Sequence, residues 1–157
     1  MRPAAALGAL AVVVASCGGG SSGGGDPLPD VTLASLDDGA PALDVGALRG
    51  PAVVNLWATW CQPCRKELPA FQEVSTARPD VRFVGVDIAE DPGKARDFLA
   101  DLGITFDQYL DDRGELTDAL GTAVLPVTIV VDADGKVATE HIGPMSVADL
   151  EQALADL

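Results

Sequence analysis

Residues 52–69 read Ala-Val-Val-Asn-Leu-Trp-Ala-Thr-Trp-Cys-Gln-Pro-Cys-Arg-Lys-Glu-Leu-Pro. Ala52 to Ala58 is nearly all apolar and rich in β-branched residues, as in a strand buried on both faces. Behind it, Cys64, Leu68, Phe71 and Val74 or Ser75 recur at the spacing of one helical face, with Pro69 expected to bend that helix. Cys61 and Cys64 therefore sit three apart at a strand-to-helix junction. On one helical face their sulfurs can close a small ring or open it. Cys61 falls in the first helical turn, where unpaired N–H groups and the helix dipole favour an anion, so its thiol should ionise below the free-cysteine value of about 8.5. Cys64 shares a stripe with Leu68 and Phe71 and should be the more buried sulfur. This divides the labour: Cys61 attacks a substrate disulfide, and Cys64 displaces the resulting mixed disulfide.

Other readings of the pair are a structural bridge, half of a zinc site, or two buried thiols. A bridge across so short a loop constrains little of the unfolded chain. Zinc needs about four ligands, and beyond residue 16 the only sulfur or imidazole donors apart from methionine are Cys17, Cys61, Cys64 and His141. A Cu(I) carrier would use the same soft sulfurs, but no Met or His cluster lies nearby. The residues call for no metal and no cofactor.

Working outward, strands and helices alternate. Val31 to Leu36 and Ala42 to Val45 flank Asp37-Asp38-Gly39 and suggest an N-terminal hairpin. Val81 to Ile88 is a second buried strand. Asp91-Pro92 opens a helix as N-cap and first-turn proline, with Gly103 as its stop. Phe106 to Leu110 is extended, Leu116 to Leu120 a short helix, and Val127 to Val131 with Lys136 to Ile142 a hairpin around Asp132-Ala133-Asp134-Gly135. Ser146 and Asp149 resemble a capping box before a last helix. The order after the first hairpin is β-α-β-α-β-α-β-β-α. With right-handed crossovers this gives an α/β sheet flanked by helices.

The first 26 residues are of another kind. Arg2 precedes twelve residues, Ala4 to Ala15, without a polar side chain. At about 1.5 Å per residue that run is too short for a hydrocarbon core of roughly 30 Å. Residues 1–16 thus read as a signal peptide. Val14-Ala15-Ser16-Cys17 resembles the bacterial lipobox, which implies a diacylglycerol on Cys17 and a lipid anchor. Residues 17–26, rich in Gly and Ser, form a tether with a reach of roughly 15 Å, and residues 27–157 form the domain. The whole chain has 157 residues, 48% hydrophobic, with 10 Lys+Arg against 24 Asp+Glu and a formal charge of −14. That suits one folded domain and argues against nucleic acid as a partner, since phosphates would be repelled.

From Val53 to Pro69 the chain resembles the TlpA/ResA-like thiol–disulfide oxidoreductases of the thioredoxin superfamily. Leu125-Pro126-Val127-Thr128, with Val131-Asp132 and Gly135-Lys136 beyond, is similar to that family's cis-proline loop and hairpin, with Val127 where many relatives carry Thr. The resemblance spans Pro27 to Leu157. It implies a thioredoxin-like fold with a central mixed sheet, an N-terminal β-hairpin and a central strand–helix insertion. It implies that Pro126 is cis and packs on the cysteine pair, and that Leu125 and Val127 offer backbone to an extended substrate. Asn55 stands where plain thioredoxins keep a buried Asp. The resemblance gives the proton-accepting role for Cys64 to Glu90 instead, at the entry to the insertion, with Asp87 as the competing acid. Trp60 beside the nucleophile offers a flat apolar patch to a partner, whereas Trp57 belongs to the core. His141 reads as structural. The activity implied is reduction of disulfides in exported proteins, apocytochrome c among them, outside the cytoplasmic membrane and with electrons from a membrane thiol donor. The CxxC itself does not encode direction, and an oxidant of the same fold remains the alternative.

Overall fold

The computed structural model describes residues 25–88, 90–155 and 157. The expected signal peptide and Cys17, with most of the tether, lie outside the described residues. The sheet is seven-stranded and mixed, built from β1 (Thr32–Ser35), β2 (Leu43–Asp44), β3 (Ala52–Trp57), β4 (Arg82–Ile88), β5 (Asp107–Asp111), β6 (Val127–Val131) and β7 (Val137–Ile142), in the spatial order β2-β1-β5-β4-β3-β6-β7. β3, β4 and β5 are mutually parallel, and the β1/β2 and β6/β7 hairpins border them in antiparallel pairing. Every residue of β3 is buried, which explains why the strand is apolar at every position but Asn55.

Four helices pack on this sheet: α1 (Gln62–Ala77), α2 (Pro92–Leu102), α3 (Glu115–Leu120) and α4 (Val147–Ala155). The crossovers from β3 to β4 and from β4 to β5 step the same way across the sheet. Equal handedness then puts α1 and α2 on one face. There Phe71 and Val74 of α1 pack with Val53, Phe83 and Leu150, while Leu68 packs with Trp57, Ala95, Phe98 and Leu99. Leu116 of α3 joins Val54, Leu56, Val84, Val86 and Ile129 on the opposite face. α2 and β5 are the strand–helix insertion, lying between β4 and α3.

The helix ends follow their local chemistry. The Asp91 carboxylate accepts from the N–H groups of Gly93 (2.8 Å) and Lys94 (3.2 Å), Pro92 follows as the first helical residue, and Gly103 ends α2 at φ 67°. At α4, Asp149 accepts from the Ser146 N–H at 2.9 Å while its own N–H donates to Ser146 Oγ at 3.3 Å, a reciprocal capping box. Pro69 lies inside α1, which runs on past it: the ring is on the exposed side, and the buried Leu68 and Phe71 hold both flanks to the sheet.

Candidate active site

β3 ends at Trp57, and four residues carry the chain from there to α1. Cys61 is the N-cap of α1, with extended backbone (φ −81°, ψ 100°), and its Sγ accepts the N–H of Cys64 at 3.2 Å. That N–H is one of the donors a helix start leaves without an intrahelical partner. It points at the sulfur of Cys61. In this structure Cys61 and Cys64 are joined as a disulfide, with Cα atoms 5.3 Å apart. Cys61 keeps 4% of its surface and Cys64 none, so solvent and substrate reach the bond only from the Cys61 side.

The floor beneath the disulfide is aromatic. Trp57 stacks on Phe98 of α2 with ring centroids 5.3 Å apart, and the Arg65 guanidinium lies 4.5 Å over the Phe98 ring. The Trp57 indole N–H donates to Gln108 Oε1 at 3.0 Å, across Gly85, where a Cβ would come within 2.1 Å of that oxygen. Glycine at 85 thus lets a β5 side chain reach β3 over the intervening strand. Trp60 is the opposite case, 64% exposed beside Cys61.

On the cis-proline side, the Leu125–Pro126 peptide is cis, Pro126 is buried, and its carbonyl accepts the Gly143 N–H at 2.9 Å. Leu56 pairs with Val127, so the next step of the register sets Pro126 opposite Trp57, at the disulfide end of the sheet. Leu125 packs against the cluster that contains both cysteines. Exposed Val124 and Ile142 lie on the same loop and at the neighbouring strand end. Trp60, Leu125 and Pro126 thus gather at the end of the sheet that carries the sulfurs.

Three acids lie on or beside the elements that carry the pair. Glu90 follows β4, and its two oxygens accept from Thr59, one from the N–H and one from Oγ1, each at 2.7 Å. Thr59 lies two residues before Cys61, so Glu90 is tied to the loop that carries the sulfur. Asp87 is fully buried on the α1 face of β4, and burial first, then the negative charge of Glu90, push its carboxyl up to about 7. Asn55 takes the plain-thioredoxin Asp position. It donates from Nδ2 to Glu67 Oε1 (2.9 Å) and Thr128 Oγ1 (3.2 Å).

Glu67 is the residue the sequence reading passed over. It is 2% exposed, its second oxygen accepts the Met145 N–H at 3.0 Å, and burial outweighs these bonds to raise its carboxyl to about 7. The signal was its position three residues beyond Cys64, on the buried stripe of α1. Arg65 and Lys66, both exposed, disguised it as one more member of a solvated charge run. His141 lines a shallow cavity of about 290 Å³ with Met145 and Asp149, on β7 and beside α4.

The family model for Redoxin matches residues 24–154. The thiol-disulfide oxidoreductase ResA of Geobacillus thermodenitrificans is 30% identical over 136 residues, covering 85% of this chain and 77% of its own length. The thiol:disulfide interchange protein DsbE homolog of Paracoccus denitrificans is 36% identical over 142 residues, covering 83% and 77%. Among solved structures, a secreted Mycobacterium tuberculosis disulfide oxidoreductase homologous to E. coli DsbE superposes with a TM-score of 0.73 at 27% identity, over 82% of this chain and 96% of its own. A thioredoxin-family thiol:disulfide interchange protein of Chlorobium tepidum gives 0.72 at 26%, over 83% and 94%. The fold is accordingly thioredoxin-like, and the chain belongs to the Redoxin family as a thiol–disulfide oxidoreductase with Cys61 and Cys64 as its CxxC pair.

Proposed function

We propose that this protein is a reductant of disulfides in exported proteins, apocytochrome c among them, held outside the cytoplasmic membrane by lipid on Cys17. In this reading residues 1–16 are removed, residues 17–26 tether the domain formed by residues 27–157, and a membrane thiol donor returns Cys61 and Cys64 to the dithiol. The observation that carries the exchange chemistry in this reading is the asymmetry of the pair: Cys61 is the sulfur open to a partner and receives a helix-start N–H, whereas Cys64 is sealed behind it.

The Cys61 thiolate attacks one sulfur of the substrate disulfide, and the other leaves as a thiolate. Cys64 gives its proton to Glu90 and attacks Cys61 Sγ. The intermolecular S–S bond breaks, Cys61–Cys64 closes, and the substrate departs with both sulfurs reduced by the two electrons of the dithiol. Trp60 and Leu125 supply apolar contact to the residues around the target cysteine, and the backbone beside Pro126 pairs with the extended chain.

Insulin reduction by the dithiol form tests the chemistry, and equilibration against a glutathione series tests the direction. Loss of activity in Cys61→Ser and first alkylation of Cys61 in the reduced protein are expected; faster modification of Cys64 would reverse the roles. An equilibrium as oxidising as a dedicated disulfide donor would reverse the direction. Release of the Cys17→Ala variant from membranes is the corresponding test of the anchor, and continued membrane fractionation would refute it.

A further inference from the structure

Asp87 is a buried acid with almost no donor. Both of its oxygens are closed to solvent, the residue as a whole is fully buried, and the adjacent Ile88 N–H is the one donor that lends its charged form any support. Within hydrogen-bonding reach lies the carboxyl of Glu90, a second acceptor. Two carboxylates facing each other in an apolar site repel, and only a proton between them turns the contact into a hydrogen bond. Which of the two carries it follows from their other partners. Both oxygens of Glu90 already accept from Thr59, which satisfies the carboxylate form. Asp87 has only the weak local contact of the Ile88 N–H, so the proton resides on Asp87 and points at Glu90.

We propose that Asp87 and Glu90 form one coupled acid pair, in which Asp87 acts through Glu90 as a positioning residue that sets how strongly Glu90 draws the proton from Cys64. This rests on the reading of Glu90 as the proton acceptor. While Asp87 keeps its proton, it donates to Glu90 and weakens Glu90 as a base. Once Asp87 is ionised, its negative charge strengthens Glu90. During resolution the proton passes from Cys64 Sγ to Glu90, is shared with Asp87, and leaves to the released substrate thiolate or to solvent.

The other ionisable groups on this side of the sheet are engaged elsewhere or exposed. On α1, beside the cysteine pair, Glu67 is bound to Asn55 and Met145, Arg65 lies over Phe98, and Lys66 and Glu73 are exposed. On α2, Asp91 caps its own helix, Arg96 donates to the Leu36 carbonyl, and Lys94, Asp97 and Asp101 are exposed. The β5 side chain reaching over β4 to Trp57 is the uncharged Gln108.

The direct test is the pH profile of the Cys64-dependent resolution step in Asp87→Asn, an isostere that cannot ionise. Asp87 is neutral below about pH 7 in the wild type. The variant should therefore match it at pH 6 and fall behind above pH 7, by ~3-fold at pH 8 if the coupling is about one unit and proton transfer feels half of it. General damage to the fold would slow the step at every pH, and a profile identical to wild type would overturn the pair. A second readout does not depend on that variant folding. In wild-type protein labelled at the aspartate carboxyl carbon, the Asp87 resonance should titrate near pH 7, and in Glu90→Gln its midpoint should fall because the neighbouring charge is gone. An unmoved midpoint overturns the pair. Exchange at the wild-type rate in Glu90→Gln would sink the proton-acceptor reading instead, and with it the route by which Asp87 acts, while the midpoint still reports whether the two acids are coupled.

Discussion

Glu67→Gln should change how stability depends on pH, and the size of the change follows from the site. The Glu67 carboxyl is held at about 7 in the fold, against 4.5 for the free group. Between those values the folded state keeps a proton that the unfolded chain has lost. More protons bound in the native state means that stability falls as pH rises. The contribution is complete below pH 4.5 and gone once pH has passed about 7. At about 1.4 kcal/mol per pH unit, the span from 4.5 to about 7 corresponds to about 3 kcal/mol, the two hydrogen bonds that favour the charged form being already contained in that net shift. Glutamine keeps the shape and cannot titrate. It meets the donors of Asn55 and Met145 with only one acceptor oxygen, which subtracts a roughly constant amount at every pH. Asp87 loses stability in a similar window, but it is present in both proteins and cancels in the difference. Urea unfolding of the oxidised proteins at pH 4.5, 6 and 8 should show Glu67→Gln gaining on the wild type by up to about 3 kcal/mol across the series. Parallel stability curves would mean that Glu67 ionises normally in the fold and would refute the assignment of a buried, proton-holding carboxyl behind Cys64.

Two further outcomes are expected. Gly85→Ala puts a methyl group 2.1 Å from Gln108 Oε1, so the amide must leave and the buried Trp57 N–H loses its acceptor; thermal unfolding should show a cost of about 1–3 kcal/mol, with a change in tryptophan fluorescence. Trp60→Ala removes a side chain that is 64% exposed, so the unfolding midpoint should stay put while KM for reduced-enzyme turnover of insulin rises about fivefold to tenfold; a changed midpoint with unchanged KM would make Trp60 part of the core instead of the docking surface.

The parts legible in the sequence were those with a local cause. β3 announced itself by an apolar run, α2 by Asp91-Pro92 and Gly103, and the last hairpin by Asp132-Ala133-Asp134-Gly135, because each signal acts over a few residues. The CxxC was legible for the same reason: a helix start and a three-residue spacing are enough to bring two sulfurs together. What escaped is set by contacts between distant segments. Glu67 meets Asn55 twelve residues away and Met145 seventy-eight away, and Gln108 reaches Trp57 across fifty-one residues. Nothing in their immediate neighbours distinguishes a buried Glu or Gln from a solvated one. Asp87 was visible as a competitor to Glu90, but that the two meet depends on a β4 residue and the loop beyond it folding over one spot.

The two faces of the sheet show where that long-range information is spent. Beneath α3 strands β3, β4 and β6 present Val54, Leu56, Val84, Val86, Val127 and Ile129, an aliphatic layer, and the buried acid on that face, Asp111 of β5, is fully engaged in capping α3 through the N–H groups of Leu116 and Thr117. Beneath α1 the same strands, one residue out of step, present Asn55, Asp87 and Thr128, with Gln108 from β5 and Glu67 from the helix above, all buried. Aliphatic side chains at these positions would make the more stable protein, since buried polar atoms such as Asn55 Oδ1 and Gln108 Nε2 lose hydration without a partner, and Asp87 is buried beside a second acid. The strands are shared, so neither β-propensity nor strand burial accounts for the difference between faces. What distinguishes them is the disulfide, which sits over one and not the other. Thiol exchange must place and remove a proton at a sulfur that solvent cannot reach, and on the proposed route through Glu90 the buried acids beside it would tune that transfer at a cost in stability. If that is the reason for the asymmetry, neutral isosteres of Glu67 and Asp87 should raise stability at pH 8 while slowing exchange; neutral isosteres that raise stability without slowing exchange would leave the polar face without a functional cause.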